Sequence, residues 1–316
     1  MKLRSFLAAA FLLLMLTTAA QAWNNAGHMT VAYIAYQKLT APTRSRVDAL
    51  LQKNPMYDSW TAGISDDQKG LVAFMRAATW PDCIKSSSCD PGYTSDGGDT
   101  PPGDATDAQN IGYGDHLMHK YWHFVDEPYS AGAPGKDPKE PNAMSEIELL
   151  AKAIQTGESD DIKSYDVVWL EHLVGDIHQP LHATSRFTKN HPNGDAGGND
   201  VAFCEKPCRD ELHAYWDDLL GTSNSIKTLE NQGKTILAKP KPAGVADLKP
   251  ADWAQESLTL AKSTVYVSPI SDDNDPSVKI SPRPDTTYET NAKEAAQRQV
   301  LLAGCRLANL LNHDLK

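Results

Sequence analysis

The chain has 316 residues, of which 41% are hydrophobic and 22% are charged, and its formal net charge is −11. Such an acidic balance excludes the broad basic surface with which proteins bind duplex nucleic acid along its phosphates. Any phosphate chemistry therefore needs positive charge from a source other than Lys and Arg, and bound metal ions are the obvious source.

The first 22 residues have the pattern of a secretory signal peptide. Lys2 precedes an apolar run over residues 6–16, and Ala-Gln-Ala at 20–22 is a small-x-small cleavage signal. The apolar run is too short and wrongly flanked for a membrane span, although a retained anchor is the alternative. We expect cleavage between Ala22 and Trp23, secretion into the medium or periplasm, and no membrane-spanning segment in the mature chain.

Helical periodicity dominates the remainder, which we treat as a single domain over residues 23–316. A capping-box pattern starts at Ser145, Pro180 ends one helix, and Gly221 suits the C-cap of another. In chain order, the predicted helices cover about 29–39, 71–79, 145–154, 165–179, 210–221, 253–266 and 292–310. The alternation typical of strands is scarce, and its best example lies around 201–203. We therefore predict a mainly α fold with a short β-hairpin.

Three irregular segments separate these helices. Residues 83–114, 127–142 and 182–208 are rich in Asp, Gly, Ser and Pro. Long loops in a compact helical body usually shape a binding site, so we expect these segments to surround the active site.

The cysteines agree with export. Cys83 and Cys89, and again Cys204 and Cys208, form close pairs in polar segments, so we expect two disulfides. Zinc binding is the weaker alternative, because neither pair has the spacing of a zinc half-site. Cys305 lies on the apolar face of a helical pattern and is predicted to be a buried free thiol.

Histidine and aspartate recur at helical spacing in two predicted helices. His172 and Asp176, and likewise His213 and Asp217, lie four residues apart, so each pair projects from one helical face. These are the donors that zinc uses where a site stays open to water. A surface ion pair or a hydrogen-bonded core histidine would explain one pair alone. Two pairs framed by apolar residues indicate a metal site, although the spacing leaves the number of ions open.

Several longer motifs resemble the single-strand-specific zinc nucleases of the S1/P1 type, which are related to zinc-dependent phospholipase C. The resemblance covers nearly the whole mature chain, and HLVGDIHQPLH is its most specific element. The matching segments are Trp23, His28, WPDCIK at 80–85, WHFVD at 122–126, HLVGDIHQPLH at 172–182, GGN at 197–199 and LHAYWD at 212–217.

The resemblance implies three Zn²⁺ ions per chain. The first would be bound by Asp82, His123, His172 and Asp176. The second would share Asp176 and be bound also by His28 and by the amine and carbonyl of Trp23. The third would be bound by His182, His213 and Asp217. A long insertion between Asp82 and His123 departs from the family pattern.

The same resemblance implies roles for four further residues. Asp126 would orient or deprotonate the attacking water, and Lys85 would neutralise the phosphate. Asn199 would contact a base edge, with Gly198 allowing close approach. The alternatives are a hydrogen-bond partner of a ligand histidine for Asp126, a surface charge for Lys85 and a plain turn for the GGN segment. His178 matches no ligand position, and we interpret it as structural.

The predicted function is that of a secreted, monomeric endonuclease. It would act on single-stranded DNA and RNA and on nucleotides, and would cleave the 3′-O–P bond to leave 5′-phosphates. Activity as a 3′-nucleotidase stays open. The alternatives are a zinc-dependent phospholipase C, which usually has Glu in place of Asp217, and a non-catalytic secreted zinc-binding protein.

Overall fold

The computed structural model describes residues 23–86, 92–105, 110–203, 211–270 and 286–315. These residues form a mainly α-helical body, which confirms the predicted fold class. The helices are α1 (Asn25–Lys38), α2 (Ala41–Leu51), α3 (Tyr57–Thr61), α4 (Lys69–Ala77), α5 (Trp80–Ile84), α6 (Ala143–Gln155), α7 (Asp160–Asp176), α8 (Leu212–Asp217), α9 (Ile226–Leu237), α10 (Pro250–Leu260) and α11 (Thr286–Asp314). Short 3₁₀ turns cover Gly112–Asp115, Lys120–His123 and Asp218–Leu220, and a π-helical turn over Ala261–Val265 continues α10.

Helix α7 lies at the centre of this body. It packs against α1, α2, α6 and α11, and every one of its residues from 164 to 176 is buried. Ser159 caps its N-terminus, since the hydroxyl oxygen accepts a hydrogen bond from Ile162 N. Burial of a polar side chain costs free energy unless the side chain finds a partner. His172 and Asp176 in its last two turns therefore require partners from neighbouring elements.

Helix α1 packs against α4, α7, α9 and α11. It begins at Asn25, earlier than the predicted 29, because the side chain of Asn24 caps it. The Asn24 oxygen accepts hydrogen bonds from Ala26 N at 2.9 Å and Gly27 N at 3.2 Å. This early start brings His28 into the first two turns of a helix that lies against α7.

Helix α6 also begins earlier than predicted. The capping box consists of Asn142 and Ser145, and the Asn142 oxygen accepts from the backbone nitrogens of Met144 and Ser145. Ser145 is thus the third residue of the helix rather than its cap. The prediction misassigned it because Ser145 and Glu148 fit the S-x-x-E form of the motif, whereas the observed box pairs Asn142 with Ser145.

The strands β1 (Glu127–Ser130) and β2 (Thr184–Phe187) form a two-stranded parallel sheet, with Glu127 opposite Thr184. The predicted hairpin is wrong, because parallel strands need a long crossover connection, here α6 and α7. Of the strand expected around 201–203, the described residues show one isolated antiparallel bridge, between Ala202 and Glu211, while residues 204–210 lie outside the described part of the chain.

The parallel pairing has a direct consequence for the site. It extends to the residues before each strand, since Val125 N donates to His182 O at 2.9 Å. The WHFVD and HQPLH segments therefore run side by side. None of the described helices combines the length and the apolar character needed to cross a membrane.

Candidate metal centre

Buried His and Asp side chains from several elements converge in three groups, and the ligand atoms within each group lie within 4.8 Å of one another. The groups are His28, His172 and Asp176; Asp82, His123 and His172; and His182, His213 and Asp217. The first two share His172. We call their five residues the shared cluster and the remaining three residues the third group.

Asp176 occupies the middle of the shared cluster. Its Oδ1 lies 3.3 Å from His28 Nε2, whereas its Oδ2 lies 3.0 Å from His123 Nδ1 and 3.2 Å from His172 Nε2. His172 Nδ1 donates to Ala78 O at 2.7 Å, which directs its Nε2 toward the carboxylate. The two oxygens of Asp176 thus face different histidines, which is the arrangement that a carboxylate between two ions requires.

Asp82, in the first turn of α5, completes the shared cluster. Its Oδ1 lies 3.6 Å from His172 Nε2 and 3.7 Å from His123 Nδ1, and its Oδ2 lies 3.9 Å from His28 Nε2. Lys85 lies one turn further along, with Nζ 2.6 Å from Asp82 Oδ1 and a nearly buried side chain. The lysine predicted from sequence is therefore at the edge of the cluster.

In the third group, hydrogen bonds to backbone carbonyls orient the two histidine rings. His182 Nδ1 donates to His123 O at 2.9 Å, and His213 Nδ1 donates to Gly197 O at 2.7 Å. A carbonyl oxygen only accepts, so in each neutral ring Nε2 carries a lone pair. These two Nε2 atoms lie 2.9 Å apart, and His213 Nε2 lies 3.6 Å from Asp217 Oδ2.

Two lone pairs at this distance repel each other unless a cation lies between them. Metal-binding histidines are commonly held by just such a hydrogen bond from the second ring nitrogen to a carbonyl. In the shared cluster His28 is fully buried, and within the described part of the chain neither of its ring nitrogens makes a hydrogen bond. The donor sets of both regions therefore fit metal ions, and a mixture of imidazole and carboxylate fits zinc.

The protonation states and charges in the shared cluster also favour metal binding. Burial lowers the pKa of His28 to about 4 and that of His123 to about 3, so both rings are in the neutral form that binds metal. Burial acts against protonation of His172 too, but Asp176 and Asp82 outweigh it and raise its pKa to about 10. The two buried carboxylates thus attract positive charge strongly.

Gly175 allows α7 to approach α1 closely at the cluster, and Gly27 leaves room for the side chain of Trp23. A Cβ atom on Gly175 would lie 2.9 Å from His28 Nδ1, and one on Gly27 would lie 2.5 Å from Trp23 Cβ. Trp23 is fully buried, and its Nε1 donates to Gly175 O at 3.1 Å. The residue predicted to begin the mature chain therefore packs beside Asp176.

Phe124 lies against the third group, and Asp126 follows it two residues later. The Phe124 ring stacks on the His182 ring, with centroids 4.6 Å apart and planes at 11°. Phe124 and Asp126 line a cavity of about 120 Å³, together with Asp99 and Ser185. No metal-ligand candidate is among its lining residues in the part of the chain that the structure describes.

Asp126 has unusual backbone geometry and an unusual pKa. Its φ of 62° lies in the left-handed region, which non-glycine residues adopt rarely and often at functional sites. Burial, with smaller effects of Asp99 and Asp195, raises the pKa of its carboxyl to about 7. The cavity is therefore lined by a carboxyl group that can be protonated or ionised near neutral pH.

The GGN segment supports the third group. Gly197 and Gly198 have φ of 59° and 83°, and a Cβ on Gly197 would lie 2.3 Å from Leu181 O. Only glycine fits position 197, whose carbonyl holds His213. Asn199 is half-buried, and its Nδ2 donates to Ala196 O at 2.8 Å.

Sequence reasoning missed one polar partner of the ligands. Gln179 is fully buried, and its Nε2 donates to Asp217 Oδ1 at 2.7 Å. Gln179 lies between two candidate ligands, Asp176 and His182, and this position was the only indication of its role in the sequence. Its partner Asp217 lies 38 positions away, so the sequence did not reveal the contact.

Of the cysteines, Cys305 is free and buried, which confirms that prediction. Cys83 is disulfide-bonded. Cys89, Cys204 and Cys208 lie outside the described residues, so both predicted pairings stay predictions.

Comparison with known proteins agrees with this site. A family model described as S1/P1 Nuclease matches residues 23–316. The chain is similar to Nuclease S1 of Aspergillus oryzae, with 26% identity over 199 residues that cover 62% of this chain and 53% of that protein. It is also similar to Endonuclease 4 of Arabidopsis thaliana, with 28% identity over 102 residues that cover 31% of this chain and 30% of that protein.

The chain thus spans about half of the first relative and less of the second. The family match, by contrast, runs from Trp23 to the end of the chain and includes every residue of the shared cluster and the third group. It confirms the resemblance read from the motifs: this chain belongs to the S1/P1 nuclease family.

Proposed function

We propose that the protein is a zinc-dependent nuclease that binds three Zn²⁺ ions and hydrolyses single-stranded DNA and RNA. The observation that carries this proposal is the convergence of imidazole and carboxylate donors on two neighbouring centres, with ring nitrogens facing each other at 2.9 Å. Family membership supports the reaction class. The acidic chain gains the positive charge needed for phosphate chemistry from the ions.

The residues divide among the ions as follows. Two ions would be held in the shared cluster by His28, Asp82, His123, His172 and Asp176, and the third would be held by His182, His213 and Asp217. When bound, paired zinc ions supply a water molecule that ionises near neutral pH and neutralise charge on the phosphate. The chain's own residues orient the ligands and position the substrate.

Lys85 is suited to contact the phosphate. Its ammonium group lies against Asp82 at the edge of the shared cluster, and the side chain is almost fully buried. A cation held there donates to phosphate oxygens and stabilises the additional negative charge of the transition state. Cleavage of the 3′-O–P bond would leave 5′-phosphates.

The preference for single strands follows from the cavity beside the third group. Phe124 lines this cavity, and Asp126 offers a carboxyl that accepts or donates a hydrogen bond near neutral pH. A base enters such a cavity only after it leaves the stack of a duplex. We therefore propose a base-binding role for Asp126 in place of the water-activating role expected from sequence.

Substitution of Asp126 by Asn separates these two roles. A base-binding role predicts a higher KM and a changed base preference with a smaller change in kcat. Loss of kcat at unchanged KM, with the same base preference, would restore the water-activating role. Steady-state kinetics on short oligonucleotides of each base give both parameters.

Secretion and an N-terminal zinc ligand belong to the same proposal. Trp23 is buried beside Gly175, so cleavage before it would release an α-amino group close to the shared cluster. A neutral amine is a zinc donor, whereas the amide nitrogen of an uncleaved precursor is a very poor one. N-terminal sequencing of the exported protein tests the cleavage site.

The decisive experiment compares substrates on one zinc-loaded preparation. Denatured DNA, duplex DNA, RNA and phosphatidylcholine are assayed in parallel. The proposal predicts rapid cleavage of denatured DNA and RNA, with 5′-phosphate ends, and slow cleavage of duplex DNA. Faster hydrolysis of phosphatidylcholine would instead identify a phospholipase C, and zinc binding without any turnover would identify a zinc-binding protein.

A further inference from the structure

The loop of residues 177–182 connects the shared cluster to the third group. It follows Asp176 directly and ends at His182. The loop is compact, because Gln179 N donates to Asp176 O at 2.8 Å and His182 N donates to Gln179 O at 3.0 Å. Any displacement of the loop therefore moves ligands of both regions relative to each other.

Three side chains from α10 and α11 hold this loop. Ser257 Oγ donates to Ile177 O at 2.7 Å, and Gln299 Nε2 donates to His178 O at 3.0 Å. Arg306 Nη1 donates to His178 Nε2 at 2.9 Å. All of these side chains are buried, so solvent does not compete for the bonds. Three bonds to different atoms fix both the position and the rotation of the loop.

Arg306 is itself held in one orientation. Its two terminal nitrogens donate to the carboxylate of Glu256 at 2.8 and 2.9 Å, and its Nε donates to Gly244 O at 3.1 Å. Because a guanidinium group only donates, His178 Nε2 must accept. The proton of the ring then lies on Nδ1, which donates to Val174 O at 2.7 Å. One arginine thus sets the tautomer and the orientation of His178.

At its other end the loop binds a metal-ligand candidate directly. Gln179 Oε1 accepts from Leu181 N at 2.6 Å, which leaves Gln179 Nε2 directed at Asp217 Oδ1. With that oxygen occupied, Oδ2 of Asp217 is the one that faces His213. Arg306 therefore reaches the third group through the hydrogen bond to His178, the peptide bond from His178 to Gln179, and the hydrogen bond from Gln179 to Asp217.

An apolar contact would fill the same space without the cost of desolvating a guanidinium group. A buried polar network instead selects one geometry, because every donor must meet its acceptor. This difference is useful where two metal regions must keep a constant separation.

We propose that Arg306 is a positioning residue for the metal centre, which acts through His178 to fix the loop 177–182 and with it the third group. This proposal rests on the proposed zinc nuclease. It concerns a residue far from the ligands in sequence that contacts no ligand itself.

The test uses the full mature chain in four forms: wild type, Arg306→Lys, Gln299→Leu and Asn309→Leu. Lysine keeps the charge opposite Glu256 but cannot bind Glu256 and His178 with a planar fork. Asn309 is the matched control. It lies on the same helix, and its Nδ2 donates to Val245 O at 2.7 Å, next to the carbonyl that Arg306 binds.

Zinc dissociation constants are measured by competition with a chelator, together with the visible absorption of the Co²⁺-substituted forms, kcat, KM and Tm. Supporting partners outside the ligand shell typically change metal affinity about 10–100-fold. We expect weakening in that range for the most weakly bound zinc in Arg306→Lys and in Gln299→Leu, with an altered Co²⁺ spectrum and a lower kcat at unchanged KM. Asn309→Leu should lower Tm and leave the zinc constants unchanged.

The proposal is overturned if both test variants keep the wild-type zinc constants and Co²⁺ spectrum and lose only thermal stability, as the control does. If Arg306→Lys does not fold, Gln299→Leu, which removes a single hydrogen bond to the same residue, decides whether the attachment of His178 controls the third group, and unchanged zinc constants in it overturn the proposal. A wild-type chain that binds no zinc would refute the proposed function instead, so the two failures are distinguishable.

Discussion

The shared cluster and the third group use the same residue types but differ in charge. The shared cluster contains two carboxylates, Asp82 and Asp176, and the third group contains only Asp217. Burial would raise the pKa of Asp176, but His172 and its neighbours hold it well below the usual range. Burial raises the pKa of Asp217 well above the usual range, although the hydrogen bond from Gln179 acts in the opposite direction.

The two regions are therefore prepared for metal in different ways. The shared cluster holds ionised carboxylates that attract divalent ions strongly. The third group is nearly neutral, and its geometry depends on hydrogen bonds from a loop and from the GGN segment. We infer that the shared cluster binds zinc more tightly and that the third group is the more sensitive to its surroundings.

The largest expected effect is that of Asp176→Asn. Asp176 faces ligands on both of its oxygens, whereas His213 serves the third group alone. Loss of one electrostatic contributor to an active site typically lowers kcat about 10²–10³-fold, and we expect Asp176→Asn to reach at least the upper end of this range. His213→Ala should retain more activity. Similar residual kcat values in the two folded variants would contradict the difference in role.

An N-terminal extension should affect the shared cluster alone. Trp23 packs against Gly175, and extra residues before Trp23 convert its amine to an amide that is a very poor zinc donor. We expect an extended chain to keep its fold and its third-group zinc but to lose one zinc of the shared cluster and most of its activity. Zinc content and hydrolysis of denatured DNA are compared with those of the chain that starts at Trp23. Full activity with full zinc content in the extended chain would exclude the amine as a ligand.

Stepwise chelation should empty the third group first, because it has one carboxylate where the shared cluster has two. An ion at 1,000 times its dissociation constant stabilises the fold by about 4 kcal/mol, so each lost ion lowers Tm measurably. Calorimetry during titration with a chelator should show two separable decreases in Tm. The first decrease in Tm should be absent in His213→Ala, which would assign it to loss of zinc from the third group. A single decrease in wild type that is unchanged in this variant would argue against unequal affinities.

The smallest expected effect concerns a histidine that lies between two aspartates, outside the shared cluster and the third group. His119 Nδ1 and Nε2 lie 2.9 Å from Asp96 and Asp115 respectively, and the ring stacks on Trp122. Burial opposes protonation of His119, but the two carboxylates outweigh it and raise the pKa. Because the folded-state pKa is the higher one, this stabilisation is complete below the unfolded pKa of about 6.5 and is lost as pH rises through the folded value.

We therefore expect Asp96→Asn to cost about 1–3 kcal/mol of unfolding free energy at low pH, because the buried, charged ring of His119 loses one of its two carboxylate partners, and less at high pH. Denaturant unfolding of wild type and variant from pH 5 to pH 9 gives the difference. A cost that is independent of pH would mean that His119 is neutral throughout.

Two pairs of candidate ligands could be recognised in the sequence because the spacing within each pair is local. His172 with Asp176 and His213 with Asp217 lie on single helices, so helical period alone places each pair on one face. The longer motifs supplied the resemblance that assembles the remaining ligands. Helix starts were less accurate, since caps such as Asn24 and Asn142 precede the first apolar residue of their helices.

The supporting structure was not predictable in the same way. The strand Glu127–Ser130 has no alternation, and its partner Thr184–Phe187 is fully buried and lies beyond two helices. The bond between Arg306 and His178 spans 128 positions, and no local pattern indicates it. Contacts that depend on how helices pack against one another leave no period in the sequence.

The most direct test of the metal assignment is the zinc content of the chain that starts at Trp23, measured on wild type, His213→Ala and Asp176→Asn. We predict three zinc ions per wild-type chain. His213→Ala should bind two, because the third group no longer holds its ion. Asp176→Asn should lose zinc from the shared cluster and keep the zinc of the third group. Equal zinc content in all three proteins, or loss of the same ion in both variants, would contradict this assignment.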